Sequence, residues 1–182
     1  ENEPSRVYVR LKVKKAESLW LEGHVYENSQ ASVEEVLKEI ELCNRDEKCI
    51  GIIIQLPLAS HLQKDQAKIL SAVSPKKDLD GLGWVLFGQH SVWLGGFIPA
   101  TPKAVIETLK YYQLDDLAGK TVMLLGQSNL TWKPLAVELM NRGATVCSFN
   151  VESDQKLIQY TAKQADIIVS ATGHVHLINK DF

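Results

Sequence analysis

Apolar positions recur along this chain with two different periods, and the switches between them mark out its elements. Val33, Val36, Leu37 and Ile40 share one face at helical spacing, and Ser32 with Glu35 three residues on forms a capping box that predicts where that helix starts. Upstream, residues 5–21 contain few breakers and predict a helix with a weak apolar face. The run CIGIIIQLPL, closed by Pro57, is short and continuously apolar, which predicts a parallel strand buried on both faces. A helix over about 63–73 follows, and then the turn-rich loop SPKKDLDGLGW.

The pattern restarts at Thr101, a predicted N-cap with Pro102 in the first turn, for a helix carrying Val105, Ile106, Leu109 and Tyr112. Strands are then predicted at 121–125, 145–149 and 167–170, with helices at 134–141 and 154–163 between them. Strands alternating with helices of this length imply βαβ units, a parallel sheet and right-handed crossovers. The reading is α/β, in two lobes that meet near residue 100.

Composition narrows the function. A chain of 182 residues, 45% hydrophobic, can bury a core. Its 20 basic and 22 acidic side chains give a formal net charge of -2, so no broad basic field invites nucleic acid or an anionic membrane. No apolar run approaches a membrane span. Cys43, Cys49 and Cys147 form no CxxC pair and no metal spacing with the five histidines, which implies reduced thiols and no metal site.

Several residues could carry chemistry. Tyr8 and Lys12 lie four apart, on one face of the first helix, where a lysine could serve as a base or simply be a solvated charge. Gln55 ends the apolar run, at the edge where α/β proteins bind ligands; a plain strand-to-loop transition explains it equally well. Asp78 and Asp80 before Gly81 suit a hydrogen-bonded turn. In VMLLGQSNLTWKPLAVELM a strand breaks at Gly126 and a helix follows, the arrangement in which a dinucleotide's pyrophosphate meets backbone N–H groups. Only one of the three fingerprint glycines is present, so the motif is weak by itself. SATGHV, after the last strand, could form another edge of that crevice.

Taken in order, these pieces resemble the methylenetetrahydrofolate dehydrogenase/cyclohydrolase family. PSRVYVRLKVKKAE is similar to the family's Ser-x-x-Tyr-Val-x-x-Lys helix, GIIIQLPL to its Gln-Leu-Pro-Leu strand, and PKKDLDG to its Lys-Asp-Val-Asp-Gly loop. IPATPKAV and ADIIVSATG resemble its later motifs. The resemblance implies a dehydrogenase that oxidises 5,10-methylenetetrahydrofolate by hydride transfer to a nicotinamide, and a cyclohydrolase that hydrolyses the methenyl product. It implies Lys12 as the catalytic lysine, Gln55 as the group that orients it, Tyr8 packing on the folate rings, Leu56 beside them, and Asp80 accepting from the pterin N–H groups. It implies Thr101, Gly126, Gln127, Ser128, Asn150, Ala171, Thr172 and Gly173 as the dinucleotide contacts. Residues 1–100 would be the folate-binding catalytic domain and 101–182 a Rossmann-like NAD(P)-binding domain, with the active cleft between them. A homodimer in the cytoplasm or the mitochondrial matrix is expected on the same ground.

Departures fall in the cofactor loop. The family reads Gly-Arg-Ser-x-x-Val-Gly-x-Pro; here Gln127 replaces the arginine that meets the 2′-phosphate of NADP, and Trp132 replaces the second glycine. Asn150 and Val151 stand where the family often has His-Ser. The family usually takes NADP; this loop argues for NAD, or for weak binding. An indole in place of glycine must displace something. The family's opening strand and its trailing Gly-Gly-Val-Gly-Pro run have no counterpart, so a truncated chain is expected. The alternatives are a cyclohydrolase without hydride transfer and a non-catalytic folate-binding scaffold.

Overall fold

The computed structural model describes residues 3–95, 97–172 and 177–179; Gly173 lies outside the described residues. The chain divides into two compact units, Glu1–Leu79 and Asp80–Phe182.

In the first unit, helix α1 spans Glu3–Glu17. It ends before the expected Leu21 because the chain turns there: Trp20 takes a left-handed φ of 62°, its N–H donates to the Glu17 carbonyl at 3.0 Å, and the Leu21 N–H donates to the Ala16 carbonyl at 3.1 Å. This is the Schellman closure, with a tryptophan where glycine is commonest. Helix α2, Val33–Arg45, starts at the expected capping box. The Glu35 N–H donates to Ser32 Oγ at 3.2 Å and the Ser32 N–H to Glu35 Oε2 at 2.7 Å. A 3₁₀ segment, Ser60–Asp65, then leads into helix α3, Gln66–Ala72, where a single helix was expected. Ile40, Leu62, Ile69 and Val73 form the core, with Ile52 and Ile54 packed against it.

The run ending in Gln55 does not become a strand buried on both faces. Among the described residues it makes one parallel bridge, Ile52 to Asp78. Ile52 and Ile54 turn toward the core while Ile53 is exposed. A continuous apolar run reports burial but not a ladder partner, and here a single bridge replaces the ladder. Lys77, one residue before that bridge, donates from Nζ to the carbonyls of Cys43, Asn44 and Asp46 at 2.8, 2.9 and 2.7 Å. An ammonium on these terminal carbonyls caps α2 and completes its dipole.

The capping box carries a prediction. The Ser32 backbone N–H, and then its hydroxyl, hold the Glu35 carboxyl below its ordinary pKa. A depressed carboxylate contributes stability that is complete above its unfolded pKa and is lost as pH falls through the folded one. Ser32→Ala should therefore cost about 1 kcal/mol at neutral pH in denaturant unfolding, with a smaller deficit in acid. Equal stability at neutral pH would show that the Ser32 hydroxyl half of the box contributes nothing.

The second unit opens with helix α4, Trp84–Ser91, which the apolar pattern did not predict. Helix α5 is Ala100–Tyr111. It begins one residue before Thr101, with Pro99 in the N-cap position and no side-chain cap, so Thr101 is an exposed first-turn residue and not the N-cap. Tyr112 follows α5, exposed, its ring meeting that of Tyr111 edge-on instead of entering the core. Strand β1 (Thr121–Leu125) leads through helix α6 (Trp132–Asn141) to β2 (Thr145–Phe149), and then through helix α7 (Gln155–Gln164) to β3 (Ile167–Ser170). The three strands match their expected ranges and form a parallel sheet in the order β2-β1-β3.

Central β1 shows the period of two. Val122 and Leu124 join Ile106, Leu135 and Leu139 on one face, while Met123 and Leu125 join Phe149, Ile158 and Ala162 on the other. Each such fully buried aliphatic side chain contributes roughly 1.5–3 kcal/mol relative to exposure. Asp166 ties the sheet's entry edge together: its carboxylate accepts the Thr121 N–H at 2.8 Å. Because β1 has later strands on both sides, the chain reverses direction across the sheet there, and ligands of such sheets bind at the carboxyl ends beside that reversal.

Candidate active site

In the first unit, Tyr8 and Lys12 sit one turn apart on α1, and Tyr8 is 60% exposed. Lys12 Nζ donates to Gln55 Oε1 at 3.1 Å. Gln55 Nε2 donates to the Leu56 carbonyl at 2.8 Å, and the Ser5 hydroxyl reaches that same carbonyl at 3.5 Å. The carboxamide is thus held at both ends, with its only side-chain acceptor turned to the lysine. Lys12 is exposed, and its Nζ is oriented by Gln55, which leaves the amine within reach of a water. A general base must lie within hydrogen-bond reach of the proton it takes.

Asp78 and Asp80, adjacent in sequence but for Leu79, have different surroundings. Asp78 is buried; its N–H donates to the Ser74 carbonyl at 2.9 Å and it forms the bridge to Ile52. It has the turn-forming role. Asp80 is half-buried and belongs to the second unit. Gly81 beside it adopts φ +65°, and a β-carbon there would come within 2.8 Å of the Phe97 carbonyl oxygen, so the loop requires glycine.

The loop after β1 lies at the sheet's reversal point, with Ala171 and Thr172 at the end of neighbouring β3. Gly126 has φ +142° and donates its N–H to the Phe149 carbonyl at 2.7 Å. Gln127 is exposed but folds back, donating from Nε2 to the Ser148 carbonyl at 3.0 Å. Asn150 is engaged locally: Oδ1 accepts the Glu152 N–H at 3.0 Å and the Ser153 hydroxyl at 3.1 Å. At the head of α6 the Lys133 N–H donates to the Ser128 carbonyl and the Leu135 N–H to the Thr131 carbonyl, while Pro134 has none to give. Of the donors the α6 N-terminus could offer an anion, that of Lys133 is therefore engaged and that of Pro134 missing, the Leu135 bond to Thr131 being the ordinary first bond of the helix.

Trp132 answers what its indole displaces. It is 6% exposed and packs in the core with Ile106, Leu109, Leu124, Leu135 and Leu139. The indole lies directly against Gly126, so that a β-carbon on Gly126 would overlap its Nε1. The family's second glycine position is filled from inside the core.

One polar cluster was invisible in the sequence. His90, from α4, and Glu138, from α6, are both buried, and Arg142 lies beside them. The i,i+4 spacing of Glu138 and Arg142 was a usable signal for half of it; nothing marks His90, since α4 itself was not expected. Burial, and next the neighbouring Cys49, push the Cys43 thiol's pKa up, which disfavours a reactive thiolate. No helix among the described residues is long and apolar enough to cross a membrane.

Comparisons with known proteins agree along the chain. The family model for the tetrahydrofolate dehydrogenase/cyclohydrolase catalytic domain matches residues 1–80, and that for the same family's NAD(P)-binding domain matches residues 99–182. The bifunctional protein FolD of Chlamydia muridarum is 41% identical over 188 residues, covering 99% of this chain and 63% of its own length. The crystal structure of the bifunctional enzyme FolD, a methylenetetrahydrofolate dehydrogenase/cyclohydrolase, from Campylobacter jejuni superposes with a TM-score of 0.90 at 35% identity, over 99% of this chain and 63% of that one. The Trypanosoma brucei N5,N10-methylenetetrahydrofolate dehydrogenase-cyclohydrolase, complexed with NADP cofactor and inhibitor, gives 0.87 at 32% identity, over 95% and 58%. The chain thus spans under two thirds of the length of these relatives.

Proposed function

Since the chain belongs to the tetrahydrofolate dehydrogenase/cyclohydrolase family, we propose that it binds one-carbon derivatives of tetrahydrofolate and hydrolyses the 5,10-methenyl form to 10-formyltetrahydrofolate at Lys12. The carrying observation is the Lys12 Nζ to Gln55 Oε1 contact of 3.1 Å. The methenyl carbon is cationic and open to water. In this reading water oxygen bonds to it as the Lys12 amine takes one of that water's protons; the carbon–N5 bond then breaks as the hydroxyl becomes the formyl carbonyl and its proton passes to N5, and the lysine releases its proton to solvent. Gln55 keeps the lysine pointed at one place, and Tyr8 packs on the folate rings. Functionally, residues 1–100 carry the folate chemistry and 101–182 the dinucleotide, the loop at Asp80 serving the folate.

A nicotinamide dinucleotide supplies the hydride acceptor for the dehydrogenase half when it is bound. Gly126, Ser128, Ala171 and Thr172 fit the crevice of such a cofactor, and Thr101 is its proposed further contact. Neither Gln127 nor Asn150 brings charge to a 2′-phosphate, and each missing charge-assisted hydrogen bond is worth roughly 1.5–3 kcal/mol. NAD, weakly held, is therefore the favoured occupant and NADP is disfavoured. The engaged and missing donors at the head of α6 favour a second reading, a cyclohydrolase whose dehydrogenase half is idle. Assembly as a homodimer, in the cytoplasm or the mitochondrial matrix, completes the proposal on the family's pattern. Turnover of the methenyl substrate, assayed beside NAD- and NADP-dependent oxidation of the methylene substrate, tests both readings; no methenyl hydrolysis by folded protein would defeat them.

Asp80→Asn tests the folate end. An ionised carboxylate only accepts, so the amide would set one donor against the pterin's own N–H groups. Folate affinity should weaken by roughly 1–3 kcal/mol, as read by calorimetry. Unchanged affinity would return Asp80 to a turn residue.

A further inference from the structure

The polar cluster between α4 and α6 stands apart from every ligand contact described above. His90, in the last turn of α4, is 6% exposed, and Glu138, in the middle of α6, is 4% exposed. His90 Nε2 lies 3.4 Å from the Pro134 carbonyl oxygen and 3.7 Å from Glu138 Oε2. Both neighbours are acceptors, so the proton sits on Nε2. Arg142 holds the other carboxylate oxygen, Oε1, from Nε at 2.7 Å and Nη2 at 2.6 Å. Asn141 Nδ2 returns a hydrogen bond to the His90 carbonyl at 3.2 Å.

Apolar side chains would hold these two helices together as strongly, but an apolar contact permits sliding. Directional contacts to a buried imidazole do not, because a shift of one helix along the other takes His90 off both the Pro134 carbonyl and the Glu138 carboxylate, while Glu138 keeps only Arg142 at the end of its own helix. What the cluster secures is therefore position. The elements it joins are specific. α4 begins three residues beyond Gly81, so it continues directly from the loop that carries Asp80. Pro134 lies in the first turn of α6, directly after the loop at 126–131. Eight helical residues make a stiff rod of about 12 Å, with the Asp80 loop at one end and His90 at the other.

We infer that His90 is a positioning residue that ties the loop carrying Asp80 to the loop at the head of α6, so that the two keep one spacing. That this spacing serves folate and dinucleotide binding rests on the function proposed above; the mechanical tie does not. Such a tie also makes any ligand coupling reciprocal: whatever one loop does to the other's affinity is returned in equal measure.

Amide hydrogen exchange on the whole, unliganded chain tests the tie. His90→Leu removes the donor and keeps comparable bulk, while His90→Gln restores an amide donor at similar reach. The Leu variant should exchange severalfold faster in both α4 and the first turn of α6, with β1 unchanged, and the Gln variant should return toward wild type. Acceleration in only one of the two elements, or in neither, would overturn the inference. If the Leu variant does not fold, Asn141→Ala, which removes only the contact to the His90 carbonyl, must loosen the same two elements or the inference fails. In the same proteins, folate KM for methenyl hydrolysis should rise severalfold with kcat held. Wild type that binds no folate would defeat the functional reading while the exchange result still judged the tie.

Discussion

Lys12→Met abolishes most methenyl hydrolysis: the expected loss in kcat is about 10²–10⁴-fold, the usual contribution of a positioned general base. Methionine keeps much of the apolar stem and removes the nitrogen. Because Lys12 is exposed and, among the described residues, its side-chain hydrogen bond is to Gln55, folding should be nearly untouched. Folate binding should persist, since Asp80 is unchanged. The informative companion is Gln55→Leu, which leaves the lysine but frees its direction and should give a smaller loss than Lys12→Met. Rapid-mixing absorbance of the methenyl substrate reads both. Normal hydrolysis by folded Lys12→Met protein would remove Lys12 from the mechanism.

Trp132→Gly should have the second-largest effect, on stability and on dinucleotide binding together. Replacing a buried tryptophan by a minimal side chain costs about 3–5 kcal/mol, and Trp132 fills the core between Ile106, Leu124 and Leu135. Trp132→Phe should lose much less. In the same variants, NAD affinity should rise for glycine over wild type, because removing the indole that lies against Gly126 frees that backbone to approach the pyrophosphate. NADP should remain the weaker ligand in every variant, since Gln127 and Asn150 are unchanged. Calorimetric titration at a temperature where all three are folded separates the cases. Equal, weak NAD binding in wild type and Trp132→Gly would put the defect in the engaged and missing donors of α6, and wild type that prefers NADP would overturn the charge argument.

Much of the fold was local and could be read directly. The strands at 121–125, 145–149 and 167–170 were legible because each is a short, largely apolar run closed by glycine or polar residues; central β1 is buried on both faces, while β2 and β3 are only partly buried. The start of α2 was legible because a capping box is satisfied entirely within four residues. The pairing of Lys12 with Gln55 came from resemblance, and neither residue type demands it alone; the contact spans 43 residues of chain. The apolar run before Gln55 misled, because a one-dimensional pattern records that residues are buried and is silent on whether another strand lies alongside. Helix α4 was missed for a related reason: its apolar and polar positions follow its neighbours, α6 above all, instead of a simple stripe.

What the sequence determined by itself is the α/β class, the three strands of the parallel sheet and the side chains available to each candidate site. Only the tertiary structure decided that Trp132 turns into the core against Gly126, that Thr101 is not a cap, and that His90 finds Glu138 across 48 residues. The division has one physical cause. Backbone propensity and capping are satisfied among near neighbours, whereas the direction of a bulky or ionisable side chain is set by the volume and partners that distant segments bring to it.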